Sequence, residues 1–107
     1  MPSIESKSTY LKRLKSPAYA KGLLKSAFEE SCEDGNWEAF GLLLQDIIDA
    51  HGDKSTFAKK AKISRQHLYR LFGKKANPTL KTLNPVLSTL GLKLTLASES
   101  TRTKRAA

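Results

Sequence analysis

Apolar residues recur with helical spacing downstream of Ser16 and Pro17. Serine at this point can cap a first helical turn, and proline fits the first helical position because the N–H it lacks would have no partner there. The stripe that follows has the spacing i, i+3, i+4, i+7 and i+8: Ala20, Leu23, Leu24, Ala27 and Phe28. The turn residues Asp34-Gly35-Asn36 end it. The pattern predicts a helix here, preceded by an N-terminal segment, residues 1–15, that we expect to be partly flexible.

A second helix is predicted between Asn36, which can cap it, and the His51-Gly52 pair, where glycine is typical of a left-handed stop. This helix has the most apolar face in the chain, formed by Trp37, Phe40, Leu43, Leu44, Ile47 and Ile48. We expect that face to be the floor of the core. The acidic side chains of the same helix should then point to water: Glu38, Asp46 and Asp49.

Two short helices are predicted next, joined by a tight turn. Asp53 can cap a helix from Lys54 to Ala61, and after Lys62-Ile63 a second serine, Ser64, can cap a helix from Arg65 to about Phe72. The inner side of that last helix carries Leu68, Leu71 and Phe72. Its outer side carries hydrogen-bonding residues, namely Gln66, Tyr69 and Arg70, with Arg65 and His67 at the flanks.

A final helix and a strand complete the predicted domain. The helix is marked by the spacing of Leu80, Leu83, Leu87 and Leu90 and is closed by Gly91. Pro85 leaves two alternatives: the helix begins late, near Thr82, or it kinks around residue 81. Residues 92–96 alternate with period two and predict a strand, which must pair with its twin in a homodimer, with another chain or with the N-terminal segment.

The elements together predict an all-α domain of five to six helices with a short C-terminal strand. We place this single domain at residues 16–96 and expect residues 97–107 to be a flexible basic tail. A chain of 107 residues has room for one domain, and its size leaves little mass for a deep cleft, which favours binding over catalysis.

Charge is distributed unevenly along the chain, whose net charge is +9. Residues 33–53 carry six acidic and no basic side chains, whereas residues 54–93 carry ten basic and no acidic ones. Such a stretch repels itself unless a polyanion supplies the missing charge, so nucleic acid is the expected partner. The alternative is a solvated lysine face, which we accept for Lys81 and Lys93.

Other function classes find little support. One cysteine, Cys32, and two scattered histidines make neither a disulfide nor a zinc spacing, and His51 suits the negative end of its helix better than a metal. The adjacent Glu29 and Glu30 point to different helical faces, as a solvated pair does. We therefore expect no catalytic residues, cofactor or metal. With no apolar run of membrane-spanning length and no secretory signal, we expect a cytoplasmic, nucleoid-associated bacterial protein without membrane contact.

The stretch FAKKAKISRQHLYRLF followed by ANPTLKTL resembles the helix-turn-helix domain of the λ-repressor-like (Xre/Cro) family. With WEAFGLLLQDIIDAHG and SPAYAKGLLKSAFEES upstream, residues 9–96 are similar to the addiction-module antidote proteins, the HigA-type antitoxins. The resemblance implies a λ-repressor-like helix-turn-helix bundle whose helix-turn-helix spans residues 54–72. The chain departs from the family pattern at Lys62, where glycine is usual and a left-handed backbone would cost about 1 kcal/mol, and at Pro85.

The resemblance also implies which residues contact DNA, since the second helix of such a domain enters the major groove N-terminus first. Base contacts are expected from Arg65, Gln66, Tyr69 and Arg70. Contacts to the DNA backbone are expected from Lys54, Ser55, Lys62, Ser64, His67, Lys74, Lys75 and Asn77. A packing role for Tyr69, and a bystander role for His67, remain open.

As a function, the resemblance implies a homodimeric, sequence-specific repressor bound to an operator in double-stranded DNA. It implies the antitoxin of a type II toxin–antitoxin module that represses its own operon and neutralises a RelE/HigB-like ribonuclease toxin. Two alternatives stay open: a stand-alone phage-like or Xre-like repressor without a toxin, and a protein that acts mainly as an inhibitor of such a toxin.

Overall fold

The structure is a computed structural model, and it describes residues 6–98. The chain folds into an all-helical domain, and the helices within that range are α1 (Lys7–Leu14), α2 (Pro17–Asp34), α3 (Glu38–Ala50), α4 (Lys54–Ala61), α5 (Arg65–Tyr69) and α6 (Leu80–Thr89). Helix α3 is central. Helices α1 and α2 pack against it and against each other. Helix α4 also contacts α3, and it packs with α5 and α6 in a second group of helices. The expected all-α class is therefore confirmed.

The predicted ends of α2 and the start of α3 follow from their capping residues. Ser16 accepts a hydrogen bond from the N–H of Tyr19, and Gly35 adopts a left-handed conformation with a φ of 74° that ends α2. The Asn36 side chain accepts the N–H of Glu38 at 3.0 Å. The prediction that Asn36 caps the next helix thus holds for its side chain, although regular helix begins two residues later, at Glu38.

Helix α1 was not predicted from the sequence. The Ser6 hydroxyl accepts the N–H of Thr9 at its start, and Leu14 at its end is fully buried. The Tyr10 hydroxyl also donates to the carboxylate of Asp46 on α3, at 3.3 Å. The N-terminal segment is therefore in part a packed helix; residues 1–5 of that segment lie outside the described residues.

The core is built on α3, as its apolar face predicts. Phe40, Leu44, Ile47 and Ile48 are all buried. Trp37 and Phe40 also form edge-to-face contacts with Phe28 of α2, with ring centroids 5.3 and 5.6 Å from that of Phe28. The acidic residues of α3 are only half-exposed rather than fully in water, and two of them, Asp46 and Asp49, bond to neighbouring side chains.

Three expectations for the C-terminal half are wrong. Helix α5 ends at Tyr69 rather than near Phe72, because the N–H groups of Leu71 and Phe72 bond three residues back and tighten the chain into a turn. Of the two alternatives for Pro85, the late start near Thr82 is wrong, because helix α6 begins at Leu80 and carries Pro85 in its interior. Leu80, expected on the buried stripe, is 67% exposed because it occupies the first position of α6.

Among residues 6–98 the structure contains no strand, so the strand predicted at residues 92–96 is absent from the single chain. A strand needs a hydrogen-bonded neighbour. Instead, the N–H of Leu92 folds back onto the Leu87 carbonyl at 2.8 Å after Gly91, and Leu92 and Leu94 pack against the core. Of the predicted tail, residues 99–107 lie outside the described residues. In the range 6–98, none of the helices is both long enough and apolar enough to span a bilayer.

Candidate nucleic-acid interface

A three-residue turn, Lys62-Ile63-Ser64, connects α4 to α5. Lys62 adopts the left-handed conformation, with φ 60° and ψ 41°, at the turn position where the resemblance described above led us to expect it. The N–H of Lys62 bonds to the Lys59 carbonyl and that of Ile63 to the Ala58 carbonyl, each at 3.1 Å. These two bonds form a Schellman end, which reverses the chain within one residue and fixes the direction in which α5 leaves α4.

Helix α5 is held by its cap and by one buried side chain. The Ser64 hydroxyl accepts the N–H of His67 at 3.0 Å, and Leu68 is fully buried. The opposite side of α5 is solvent-facing and forms one open depression of about 530 Å³, lined by Arg65, Gln66, Tyr69 and Arg70. The four residues expected to contact bases therefore share a single exposed surface.

The Tyr69 ring lies close to both a cation and a second ring. The Arg65 guanidinium carbon lies 5.8 Å from its centroid, and the Phe72 ring, which is half-buried, lies 6.0 Å away at 43°. Tyr69 itself is 46% exposed. The ring is thus supported by packing against Phe72 and can order the Arg65 side chain, so the packing and contact roles of Tyr69 are compatible.

Two of the residues expected to contact the DNA backbone, Ser64 and His67, already take part in hydrogen bonds within the chain. The Ser64 hydroxyl caps α5, and the His67 Nδ1 lies 2.9 Å from that same hydroxyl. The His67 ring is consequently held near the start of α5, on an exposed side chain. This geometry fits a helix-stabilising role as well as a contact.

Lys54 and Ser55 begin α4 and are half-buried. The Lys54 ammonium lies 2.8 Å from a carboxylate oxygen of Asp49, at the end of α3. The positive charge that was expected to face a phosphate is therefore partly neutralised. The sequence analysis placed Asp49 in water and did not predict this ion pair, which joins two helices.

The basic loop after α5 is anchored to it. The N–H of Asn77 donates to the Arg70 carbonyl at 3.1 Å, while Lys74 and Lys75 are exposed. Beneath this loop, Gly41 of α3 packs so closely that an added side chain would overlap the Leu71 carbonyl. Gly41 was also missed in the sequence, where a glycine inside a helix gives no sign of what approaches it.

Charge in the folded chain keeps the separation found along the sequence. All eight acidic residues of the described range lie between residues 29 and 53, and none lies between residues 54 and 98. The surface around α5 thus has Lys62, Arg65, Arg70, Lys74 and Lys75 as exposed cations. Within residues 6–98, no group of three or more His, Cys, Asp or Glu side chains is arranged to hold a metal ion.

No protein-family model matches the chain, and neither a curated protein nor a solved structure matches it.

Proposed function

We propose that this protein is a sequence-specific DNA-binding transcriptional regulator of the λ-repressor-like helix-turn-helix class, with α5 as the helix that enters the major groove. The observation that carries the proposal is the grouping of Arg65, Gln66, Tyr69 and Arg70 on one exposed face of α5, opposite the buried Leu68. The major groove is about 12 Å wide and admits a helix.

Each residue of that face has a chemical role in the proposal. Arg65 and Arg70 can pair bidentately with guanine, and Gln66 can do so with adenine. Tyr69 offers a ring for a thymine methyl group and a hydroxyl for phosphate. The exposed lysines Lys62, Lys74 and Lys75 hold the DNA backbone without reading sequence.

The proposed regulator acts as a homodimer. Helix α5 has five residues and is about 7.5 Å long, so one copy reads only a few base pairs. Two copies related by a two-fold axis would read successive major grooves about 34 Å apart, and the operator would be palindromic.

The resemblance to the HigA-type antitoxins extends this proposal to a type II toxin–antitoxin module, in which the protein represses its own operon and binds a RelE/HigB-like ribonuclease toxin. The acidic surface formed by residues 29–53 favours a second candidate function, inhibition of such a basic toxin by direct contact. The overall charge of +9 opposes it. A stand-alone repressor needs no toxin gene beside its own, whereas the antitoxin proposal needs one.

Selection of bound sites from a pool of random duplexes tests the DNA-binding proposal, followed by anisotropy titration of the selected duplex over a range of salt concentrations. We expect palindromic sites and an affinity that falls steeply with salt. Indifference to duplex DNA at low ionic strength would reject the proposal. Co-purification with the product of the adjacent gene tests the antitoxin function separately.

A further inference from the structure

The C-terminal segment, residues 92–97, has an open backbone edge. After the bond from the Leu92 N–H to Leu87, none of residues 93–97 makes a backbone hydrogen bond to another described residue. The side chains alternate: Leu92 and Leu94 are half-buried against the core, whereas Lys93 and Thr95 face solvent. The next inward position of that alternation, Leu96, is 99% exposed.

N–H and C=O groups that make no backbone bond within residues 6–98, beside an exposed leucine, form an edge that a second strand can extend. We infer that residues 92–96 pair with the same residues of a second copy as antiparallel strands, about a two-fold axis at Leu94. The inference deepens the proposed function, because it rests on the two-copy arrangement and gives it a surface.

The register follows from side-chain pairing across the axis. With the axis at Leu94, Leu92 lies opposite the partner's Leu96, and Lys93 lies opposite the partner's Thr95. An axis at Lys93 would place two lysines face to face, which is destabilising. An axis at Thr95 would place Leu92 opposite Ser98 and lose an apolar pair. Only the axis at Leu94 pairs every leucine with a leucine and separates the like charges.

The same register accounts for the exposure of Leu96. In an antiparallel pair, residues directly opposite each other have their side chains on the same face of the sheet. The partner's Leu96 would therefore lie beside Leu92, on the face that each chain turns to its own core. Residues whose pattern is complementary to itself in this way fit a second copy better than an unrelated strand. Residues 7–14 are helical and do not supply the missing strand.

Disulfide trapping in the full-length protein tests this register without DNA. The background variant is Cys32→Ser, because Cys32 is exposed and could cross-link by itself. When the single variants Lys93→Cys and Thr95→Cys are mixed, the two cysteines of a mixed dimer lie opposite each other with Cα atoms about 4.5–5.5 Å apart, within disulfide reach, and neither chain can form a bond within itself. In a dimer of one single variant, the two cysteines are offset by about 6.6 Å along the strands, and the strands are about 4.8 Å apart. Their Cα atoms are therefore about 8 Å apart, and this distance is too long for a disulfide.

We expect mild oxidation to convert the mixture of the two single variants to a covalent dimer and to leave each single variant monomeric when it is oxidised alone, as seen on a non-reducing gel. Cross-linking of a single variant alone would mean another register, and no cross-linking in the mixture would mean no such pairing; either result overturns the inference. Dimer formation with no affinity for DNA would instead reject the proposed function alone.

Leu96→Lys gives an independent measurement. Because Leu96 is 99% exposed in the single chain, the substitution should leave helical content unchanged by circular dichroism. It should raise the dimer dissociation constant at least about tenfold in sedimentation equilibrium, since two leucines per dimer lose their burial. An unchanged dissociation constant would overturn the inference.

Discussion

Gly41 of α3 lies directly against the backbone carbonyl of Leu71, so that a Cβ on Gly41 would overlap the carbonyl oxygen and come 3.3 Å from the Phe72 Cα. This contact seats the end of α5 and the turn after it on the central helix. The position of the candidate DNA-binding face therefore depends on a residue that lacks a side chain.

Gly41→Ala should destabilise the protein by about 1–3 kcal/mol, because the backbone after α5 must move to admit the methyl group. Thermal and denaturant unfolding measure this, with a melting temperature lowered by about 4–8 °C per kcal/mol. The matched control is Gly22→Ala in α2, where nothing lies within 4 Å. That variant should gain about 0.5–1 kcal/mol from helix propensity. Equal effects from the two substitutions would contradict the close packing at Gly41.

Lys62→Gly should raise stability by about 1 kcal/mol, because glycine adopts the left-handed conformation of this turn without the steric cost that lysine incurs. If Lys62 contacts phosphate, the same variant should also bind DNA more weakly and reduce the salt slope by about one. Unfolding and anisotropy titrations measure the two effects on one sample.

Lys62→Asn is the control for this pair of effects. Asparagine removes the charge but tolerates the left-handed region less well than glycine. Lys62→Asn should therefore gain less stability than Lys62→Gly, and the two variants should show the same reduction in salt slope. A lowered melting temperature for Lys62→Gly would mean that the lysine side chain itself stabilises the fold.

Gln66→Ala and Lys75→Ala should weaken DNA binding in different ways. The first removes a base-pairing group on α5 and should relax sequence preference, by about 1–3 kcal/mol at one base pair. The second removes an exposed loop charge and should weaken binding to all duplexes, with a salt slope reduced by about one. Titration against the selected site and against substituted sites separates the two. Identical behaviour of both variants would contradict the division of roles.

Asp49→Asn should strengthen DNA binding at about 0.1 M salt, because it releases the Lys54 ammonium from its 2.8 Å ion pair. Both side chains are partly exposed, so the loss of stability should stay below about 1 kcal/mol. The control Glu38→Gln removes the same charge eleven residues earlier on α3, about 16 Å away. At about 0.1 M salt that distance exceeds the screening length of about 10 Å, so the control should bind as the unmodified protein does. A decrease in affinity for Asp49→Asn would show that the pair positions α4.

Local signals in the sequence predicted most of the fold. Ser16 with Pro17, Asp53 and Ser64 cap helices where expected, and Lys62 is left-handed, because each of these residues acts on its own turn. Helix α1 was missed because its apolar residues are few, and its stability depends on the distant contact between Tyr10 and Asp46.

Features that depend on other parts of the chain could not be predicted. The outward face of α5 was predictable, since helical periodicity fixes which side chains oppose Leu68. The pairing of Lys54 with Asp49 and the contact at Gly41 join separate helices, and no local pattern specifies them. The predicted strand failed for the same reason: alternation at residues 92–96 specifies an edge but not the neighbour that would complete it.

The Asp53 cap gives α4 a dependence on pH. The N–H of Thr56 donates to the Asp53 carboxylate at 2.6 Å, and this hydrogen bond, with a further one from the Thr56 side chain, lowers the pKa of Asp53 in the folded chain. Because the folded pKa lies below the unfolded value, this contribution to stability is complete above about pH 3.9 and is lost as the pH falls through the folded value.

Asp53→Asn keeps a capping oxygen that does not titrate. The free energy of unfolding of the original protein should therefore fall relative to that of Asp53→Asn as the pH drops below about 4, whereas the difference should be constant between about pH 6 and pH 8. Urea denaturation at each pH measures both proteins, and taking the difference cancels the carboxylates that they share. A difference that is flat over the whole range would contradict the lowered pKa.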